Sequence, residues 1–224
     1  MNSLEKKLFS EFLGTFLFVT IGCGTALFAM SFVGYIGVAI TFGMISLTLY
    51  SILEKISGCH LNPAVSFGFF LTKKIDFKTF LSYSLAQLIG GLIGAGSLLF
   101  LFKSLLHGGH LNTFVTNGHS HLSPAHFGFL GAMLVEIIAT FMLVLVYLER
   151  SADKNIPVFV VGAVVIAGHF FALPVTGASL NPARSFGVAI IEGGDALKQV
   201  WFFFVMPMTG ALLAGLTHKL LHKK

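Results

Sequence analysis

Charged residues are confined to a few places along the chain, and between them the sequence stays apolar for tens of residues at a time. Phe12 to Leu53, Thr79 to Phe102, Ile137 to Leu148, Pro157 to Ala183 and Gln199 to Thr217 each hold no Asp, Glu or Lys, and no Arg. About 20 consecutive apolar residues cross the hydrocarbon core of a bilayer as a helix. The first run is long enough for two crossings, and Gly34 with Gly37 divides it. The pattern predicts six full spans, at 8–30, 34–53, 79–102, 127–149, 157–174 and 200–220. Strands do not fit, because barrel strands alternate polar and apolar positions and an open lipid-facing strand leaves backbone groups unpaired. The Lys6-Lys7 pair does not open a signal peptide, since the apolar run after it outlasts a core of about 7 to 15 residues and holds Glu11.

Composition adds that lipid, not water, is the solvent: 55% of residues are hydrophobic and 10% charged, against about a quarter charged in a soluble domain. Charge adds orientation. Eleven of the 14 basic residues lie at the termini or in the second and fourth connections, which share one side if the spans alternate. The excess of basic residues inside places both termini in the cytoplasm. The net charge of +5 is then a cytoplasmic face against anionic lipid, with no nucleic acid required. Cys23 and Cys59 sit in or beside apolar segments and imply no disulfide framework.

Two polar interruptions are alike. Residues 57–68 read SGCHLNPAVSFG and residues 176–187 read TGASLNPARSFG, with Asn62 and Asn181 placed 181 − 62 = 119 positions apart. Glu11-Phe-Leu-Gly-Thr15-Phe16 matches Glu136-Ile-Ile-Ala-Thr140-Phe141 at an offset of 125, and Gly37 and Gly43 match Gly162 and Gly168 at that same offset. Three spans per half make the two halves inverted repeats: 1–102, then a His-rich connection at 103–126 outside the membrane, then 127–224.

After each motif comes a short apolar piece, Ala64 to Leu71 and Ala183 to Ile191. At about 1.5 Å per residue these reach roughly 12 to 14 Å, under half the hydrocarbon thickness, so they are half-helices. Pro63 and Pro182 suit the first helical turn, and Asn62 and Asn181 suit its N-cap. Entering from opposite faces, the two half-helices would meet with their positive dipole ends at the midplane. The fold class expected is therefore an all-α membrane protein of six transmembrane helices and two re-entrant half-helices in inverted three-span repeats.

The paired Asn-Pro-Ala motifs, the Glu-x-x-x-Thr-Phe openings and the continuation NPARS resemble the aquaporin and aquaglyceroporin channels over essentially the whole chain. The resemblance implies a passive channel and not an enzyme, a homotetramer with a pore in each subunit, and no cofactor. Carried over by position, the family's narrow filter falls on Phe42, His169, Ala178 and Arg184, a set similar to the water-selective branch. The glycerol-conducting branch usually has Gly, an aromatic and Asp where this chain has His169, Ala178 and Ser185. Arg184 should line the lumen, held by backbone carbonyls of its own loop, since a charge inside the membrane needs water or protein acceptors. In this reading water crosses in single file, donating to the carbonyls of Gly58, Cys59 and His60 and then of Gly177, Ala178 and Ser179, while Asn62 and Asn181 donate to its oxygen. Diameter, lining groups and an electrostatic barrier then exclude protons and ions. Passage of glycerol or another small neutral solute is the alternative. The short termini fit a prokaryotic chain in a plasma membrane.

Several residues admit two readings. Glu11 and Glu136 could relay protons, but the backbone N–H groups of re-entrant loops need buried acceptors, so they are read as loop braces. Gly90, Gly91, Gly94 and Gly96 are read as close-packing positions. His107, His110, His119, His121 and His126 have irregular spacing in a polar connection and are read as a solvated loop, not a metal site. Glu54-Lys55 stands where many water channels have Gly-His, and Cys59 replaces a smaller residue beside the pore. A secondary transporter would carry an acid or ion site near its broken helices, and these loops hold none. A membrane metalloenzyme would need ligands on facing spans.

Overall fold

The apolar runs become helices, and glycine ends three of them. A computed structural model describes residues 3–105 and 115–223. Its helices are α1 (Ser3–Phe28), α2 (Met30–Ser57), α3 (Pro63–Leu71), α4 (Phe77–Lys103), α5 (Phe129–Ala152), α6 (Phe159–Thr176), α7 (Pro182–Glu192), α8 (Gly194–Gln199) and α9 (Phe202–Leu221). Five of these, together with the segment Gly194–Leu221 that joins α8 to α9, are long and apolar enough to cross a bilayer. Gly34, at φ 58° and ψ −168°, breaks the start of α2, a conformation open to glycine but forbidden to side chains with a Cβ. Gly58 and Gly177 end α2 and α6 in the left-handed region, each N–H returning to the carbonyl four residues back.

The outer surface is apolar in ridges of four-residue spacing: Ile36, Ile40 and Met44 on α2; Leu81, Leu85, Ile89 and Ile93 on α4; Leu130, Leu134, Ile138 and Met142 on α5. One face of each of these three helices is thus apolar and uncovered. The inner faces carry small and polar residues, including buried Ser10, Thr15, Ser46, Gln87 and Thr140.

Exchanging the halves keeps the main helix pairs in contact. α1 packs on α4 as α5 packs on α9, α1 on α2 as α5 on α6, and each half-helix lies on the last span of the other repeat, α7 on α4 and α3 on α9. Glycine sets how close these pairs come. A Cβ on Gly90 would lie 2.4 Å from the Phe12 carbonyl, and one on Gly210 would lie 2.5 Å from the Ile137 carbonyl. Backbones therefore touch at matching places. Gly91 and Gly94 also face backbone of α7 and α1, whereas Gly96 has nothing within 4 Å of its would-be Cβ, so its close-packing assignment is corrected.

The repeat register differs in part from the sequence reading. Across the interface of α2 with α6, a Cβ on Gly43 would meet the Gly162 carbonyl at 2.7 Å and one on Gly162 would meet the Gly43 carbonyl at 2.9 Å. That mutual contact pairs Gly43 with Gly162, an offset of 162 − 43 = 119, the offset of the asparagines and not that of the glutamates. The difference is taken up between the first two spans of each repeat, because α2 has 28 residues and α6 only 18.

Candidate functional site

The loops before the half-helices, 58–62 and 177–181, run through the protein interior in an unusual backbone. Gly58, Cys59 and Leu61 have φ of 92°, 52° and 53°; their counterparts Gly177, Ala178 and Leu180 have 73°, 52° and 52°. Left-handed backbone at residues with a Cβ costs about 1 kcal/mol or more each and persists only where the surroundings hold it.

Two buried carboxylates sit at the places that hold it. Glu11 accepts from the backbone N–H of His60 at 2.9 Å and of Leu61 at 2.6 Å, from Ser57 Oγ at 2.6 Å and from Gln87 Nε2 at 2.8 Å. Glu136 accepts from the N–H of Ser179 and Leu180, both at 2.9 Å, and from Thr176 Oγ1 at 2.6 Å. The hydroxyls of Ser57 and Thr176 complete the same motif by accepting from the N–H of Cys59 and Ala178 at 3.1 and 3.2 Å. Ser57, Thr176 and Gln87 escaped the sequence reading, although the first and second precede the motifs at equivalent positions.

The two half-helices meet at their N-termini. Asn62 Oδ1 caps α3 by accepting from Ala64 N–H at 2.9 Å, and Asn181 Oδ1 caps α7 by accepting from Ala183 N–H, also at 2.9 Å. Pro63 and Pro182 occupy the first helical position, where a missing N–H costs nothing. Each Asn amide nitrogen donates across the centre, Asn62 Nδ2 to the Leu180 carbonyl at 2.7 Å and Asn181 Nδ2 to the Leu61 carbonyl at 2.8 Å. An amide nitrogen carries two N–H groups, so one on each asparagine is left for another acceptor. Beside the asparagines lies a chamber of about 30 Å³, lined by Phe18 and Leu143, Ser46 and Val165, and Asn62 and Asn181 in repeat-related pairs, with His60 and Tyr147.

On the side away from the termini, a cavity of about 530 Å³ reaches inward to Leu173, Gly177 and Arg184. His169 lies one helical turn from Leu173 and one from Val165, between this vestibule and the chamber. Its ring stacks on Phe42 with centroids 4.2 Å apart, and Phe42 leans on Phe18 at 5.1 Å. His169 Nδ1 lies 2.8 Å from the Val165 carbonyl; as the donor it leaves Nε2 free to accept in the neutral ring. Phe42, His169, Ala178 and Arg184 are all buried.

Arg184 is held differently from expectation. Nη2 reaches one loop carbonyl, that of Gly177, at 3.4 Å, and Nη1 donates to Oδ1 of Asn117. Asn117 belongs to the third connection; its Oδ1 also accepts from Ser185 Oγ at 2.6 Å and its Nδ2 donates to the Thr176 carbonyl at 3.2 Å. Arg184 Nε is buried without a protein partner. The described part of the third connection is thus tied to α6 and not simply solvated: Ser123 Oγ donates to the Val175 carbonyl at 2.7 Å and Ala125 N–H to the Pro174 carbonyl at 3.0 Å. No signal in the sequence singles out Asn117, whose neighbours are ordinary loop residues. His119 and His121 turn to separate partners, Ser120 Oγ and Asp195 Oδ2, and His126 is exposed; His107 and His110 lie outside the described residues.

At the face that carries the termini, Tyr50 and Tyr147 meet edge to face at 5.4 Å. Tyr50 stands 169 − 50 = 119 positions before His169 and is its counterpart in the first repeat. Glu54, one turn further, pairs with Arg150 at 3.5 Å and with Lys154. The thiol of Cys59 is fully buried.

The sequence matches the profile of the major intrinsic protein family over residues 1–218. The fold is similar to the X-ray structure of the aquaglyceroporin from Plasmodium falciparum, with a TM-score of 0.80 and 25% identity, covering 99% of this chain and 96% of that one. Paired half-helices, six spans and this family match agree, and members of the family are passive channels, not enzymes. The chain belongs to the major intrinsic protein family of membrane channels.

Proposed function

We propose that the chain conducts water in single file and excludes ions, protons and larger solutes, with Phe42, His169, Ala178 and Arg184 as its selectivity filter. The observation that carries this reading is the stacked, buried Phe42–His169 pair standing between a vestibule of about 530 Å³ and a chamber of about 30 Å³. A chamber of that size has room for water and none for a solute as large as glycerol.

Water leaving the vestibule meets Arg184, which lines it, as a donor and His169 Nε2 as an acceptor. The carbonyls of Gly177, Ala178 and Ser179, and of Gly58, Cys59 and His60 beyond the centre, accept its hydrogens. At the midplane the spare N–H of Asn62 and of Asn181 both address its oxygen, so that molecule cannot accept a proton from one neighbour while donating to the next. The positive ends of α3 and α7 and the Arg184 charge oppose cations in a low-dielectric passage. Glu11 and Glu136 brace the loops that aim these carbonyls. We further propose a homotetramer in a plasma membrane, both termini cytoplasmic, with units 1–102 and 127–224 joined by the connection 103–126.

Conduction of glycerol is the second reading, favoured by the likeness to a structure described as an aquaglyceroporin. Stopped-flow light scattering on proteoliposomes under water and glycerol gradients separates the two. Water flux well above empty liposomes with glycerol flux at their level supports the water reading, and equal enhancement of both replaces it with the second.

A further inference from the structure

We propose that Glu149, His218 and His222 form a binding site for one divalent transition-metal ion of the zinc class, outside the permeation path. His218 and His222 are four residues apart at the end of α9 and therefore share one helix face. α9 packs along α5, whose last turns carry Glu149. His218 Nδ1 lies 2.8 Å from Glu149 Oε1, and His222 Nε2 lies 2.8 Å from Oε2. The two imidazole centroids are 4.6 Å apart, and one ligand atom from each of the three residues lies within 4.8 Å of the others.

A tetrahedral ion with bonds of about 2.0 to 2.1 Å requires ligand atoms roughly 3.3 Å apart. The three atoms reach that spacing by shifts of the order of an ångström, within the range of side-chain torsions and without moving a helix. Binding replaces the N–H···O bonds by N–metal and O–metal bonds, with neutral imidazoles as ligands. The side chain of His222 is half exposed, which leaves an entry path and a fourth position for solvent.

The donor set selects the ion. Imidazole nitrogen suits Zn²⁺, Cu²⁺ and Ni²⁺, whereas Ca²⁺ and Mg²⁺ want an oxygen-rich shell. A bound ion would tie the ends of α5 and α9 together at the face that carries the termini, beside Arg150 and its partner Glu54. None of the three residues lines the chamber or the vestibule, so the site stands or falls independently of what the pore conducts.

The test is equilibrium dialysis of the full-length, tag-free protein in detergent against Zn²⁺, with bound metal counted by mass spectrometry. One Zn²⁺ per chain is expected, removable by chelator. His222→Ala, at an exposed position that the fold does not need, should weaken binding by about 100-fold or more, as should His218→Ala, and Glu149→Gln by about 10-fold or more. Absence of stoichiometric Zn²⁺ in the parent overturns the proposal. So does unchanged Zn²⁺ affinity in folded His222→Ala, which would assign the metal elsewhere, for example to the His-rich connection.

Discussion

Replacing Glu136 by Leu removes the acceptor for two backbone N–H groups at once, those of Ser179 and Leu180. Thr176 Oγ1 loses its carboxylate too, but it retains a 3.3 Å contact to the Ala172 carbonyl, so the uncompensated loss is the two N–H groups. Each orphaned buried donor costs about 1 to 3 kcal/mol, giving about 2 to 6 kcal/mol for the variant. The loop also stores strain at Ala178 and Leu180, both left-handed, and loses the grip that maintained it. Glu136→Gln keeps one acceptor oxygen and presents an NH₂ that can donate to Thr176 Oγ1; one N–H is then orphaned, at about 1 to 3 kcal/mol. The order expected is parent, then Gln, then Leu, both in the fraction of protein that stays monodisperse after graded heating in detergent and in water flux from liposomes. Glu11→Leu should be at least as damaging, since it strands the N–H groups of His60 and Leu61. A Glu136→Leu protein as heat-resistant and as conductive as the parent would refute the bracing argument.

Trimming the ring in His169→Gly removes the stack on Phe42; glycerol permeability in proteoliposomes should rise at least about tenfold, the effect of lowering a barrier by about 1.4 kcal/mol, with water flux retained. Arg184→Val removes the positive charge of the proposed filter, and a proton or cation leak should appear in a pH-dye flux assay, more strongly when combined with His169→Ala. Asn117→Ala frees Arg184 and Ser185 from their shared partner; if the proposed filter excludes glycerol, that exclusion should weaken while the protein still assembles, and unchanged exclusion would remove Asn117 from the support of the proposed filter. Gly90→Val drives a side chain into the Phe12 carbonyl and should cost about 1 to 3 kcal/mol on the same heating assay, whereas Gly96→Ala, inside α4 with open space around it, should cost nothing and raise heat resistance by up to about 1 kcal/mol.

The helices, the break at Gly34 and the half-helices were legible because they depend on local composition: apolar runs of bilayer length, glycine where φ turns positive, Asn followed by Pro at an N-cap. The duplication was legible too, since both halves repeat the same words. Its register was not wholly so. Sequence matching carried the 125-residue offset of Glu11 and Glu136 onto the glycines of α2 and α6, and only the contact of Gly43 with Gly162 shows that those helices pair at 119.

Partners that meet across the chain are a different matter. That Asn62 and Asn181 cap their own helices follows from two-residue geometry; that each also donates to the other loop, to Leu180 and Leu61, depends on where two half-helices end up after all six spans have packed. Asn117 reaches Arg184 from 67 positions away, and Glu149 meets His218 from 69. Such pairings leave no periodic trace, because the residues become neighbours only once distant segments have packed. Sequence alone determined the solvent, the number of crossings and which segments are helical, for these follow from hydrophobic burial and backbone sterics over a few residues. The tertiary structure decided which polar groups satisfy one another, since a buried donor takes whatever acceptor the packing brings within about 3 Å.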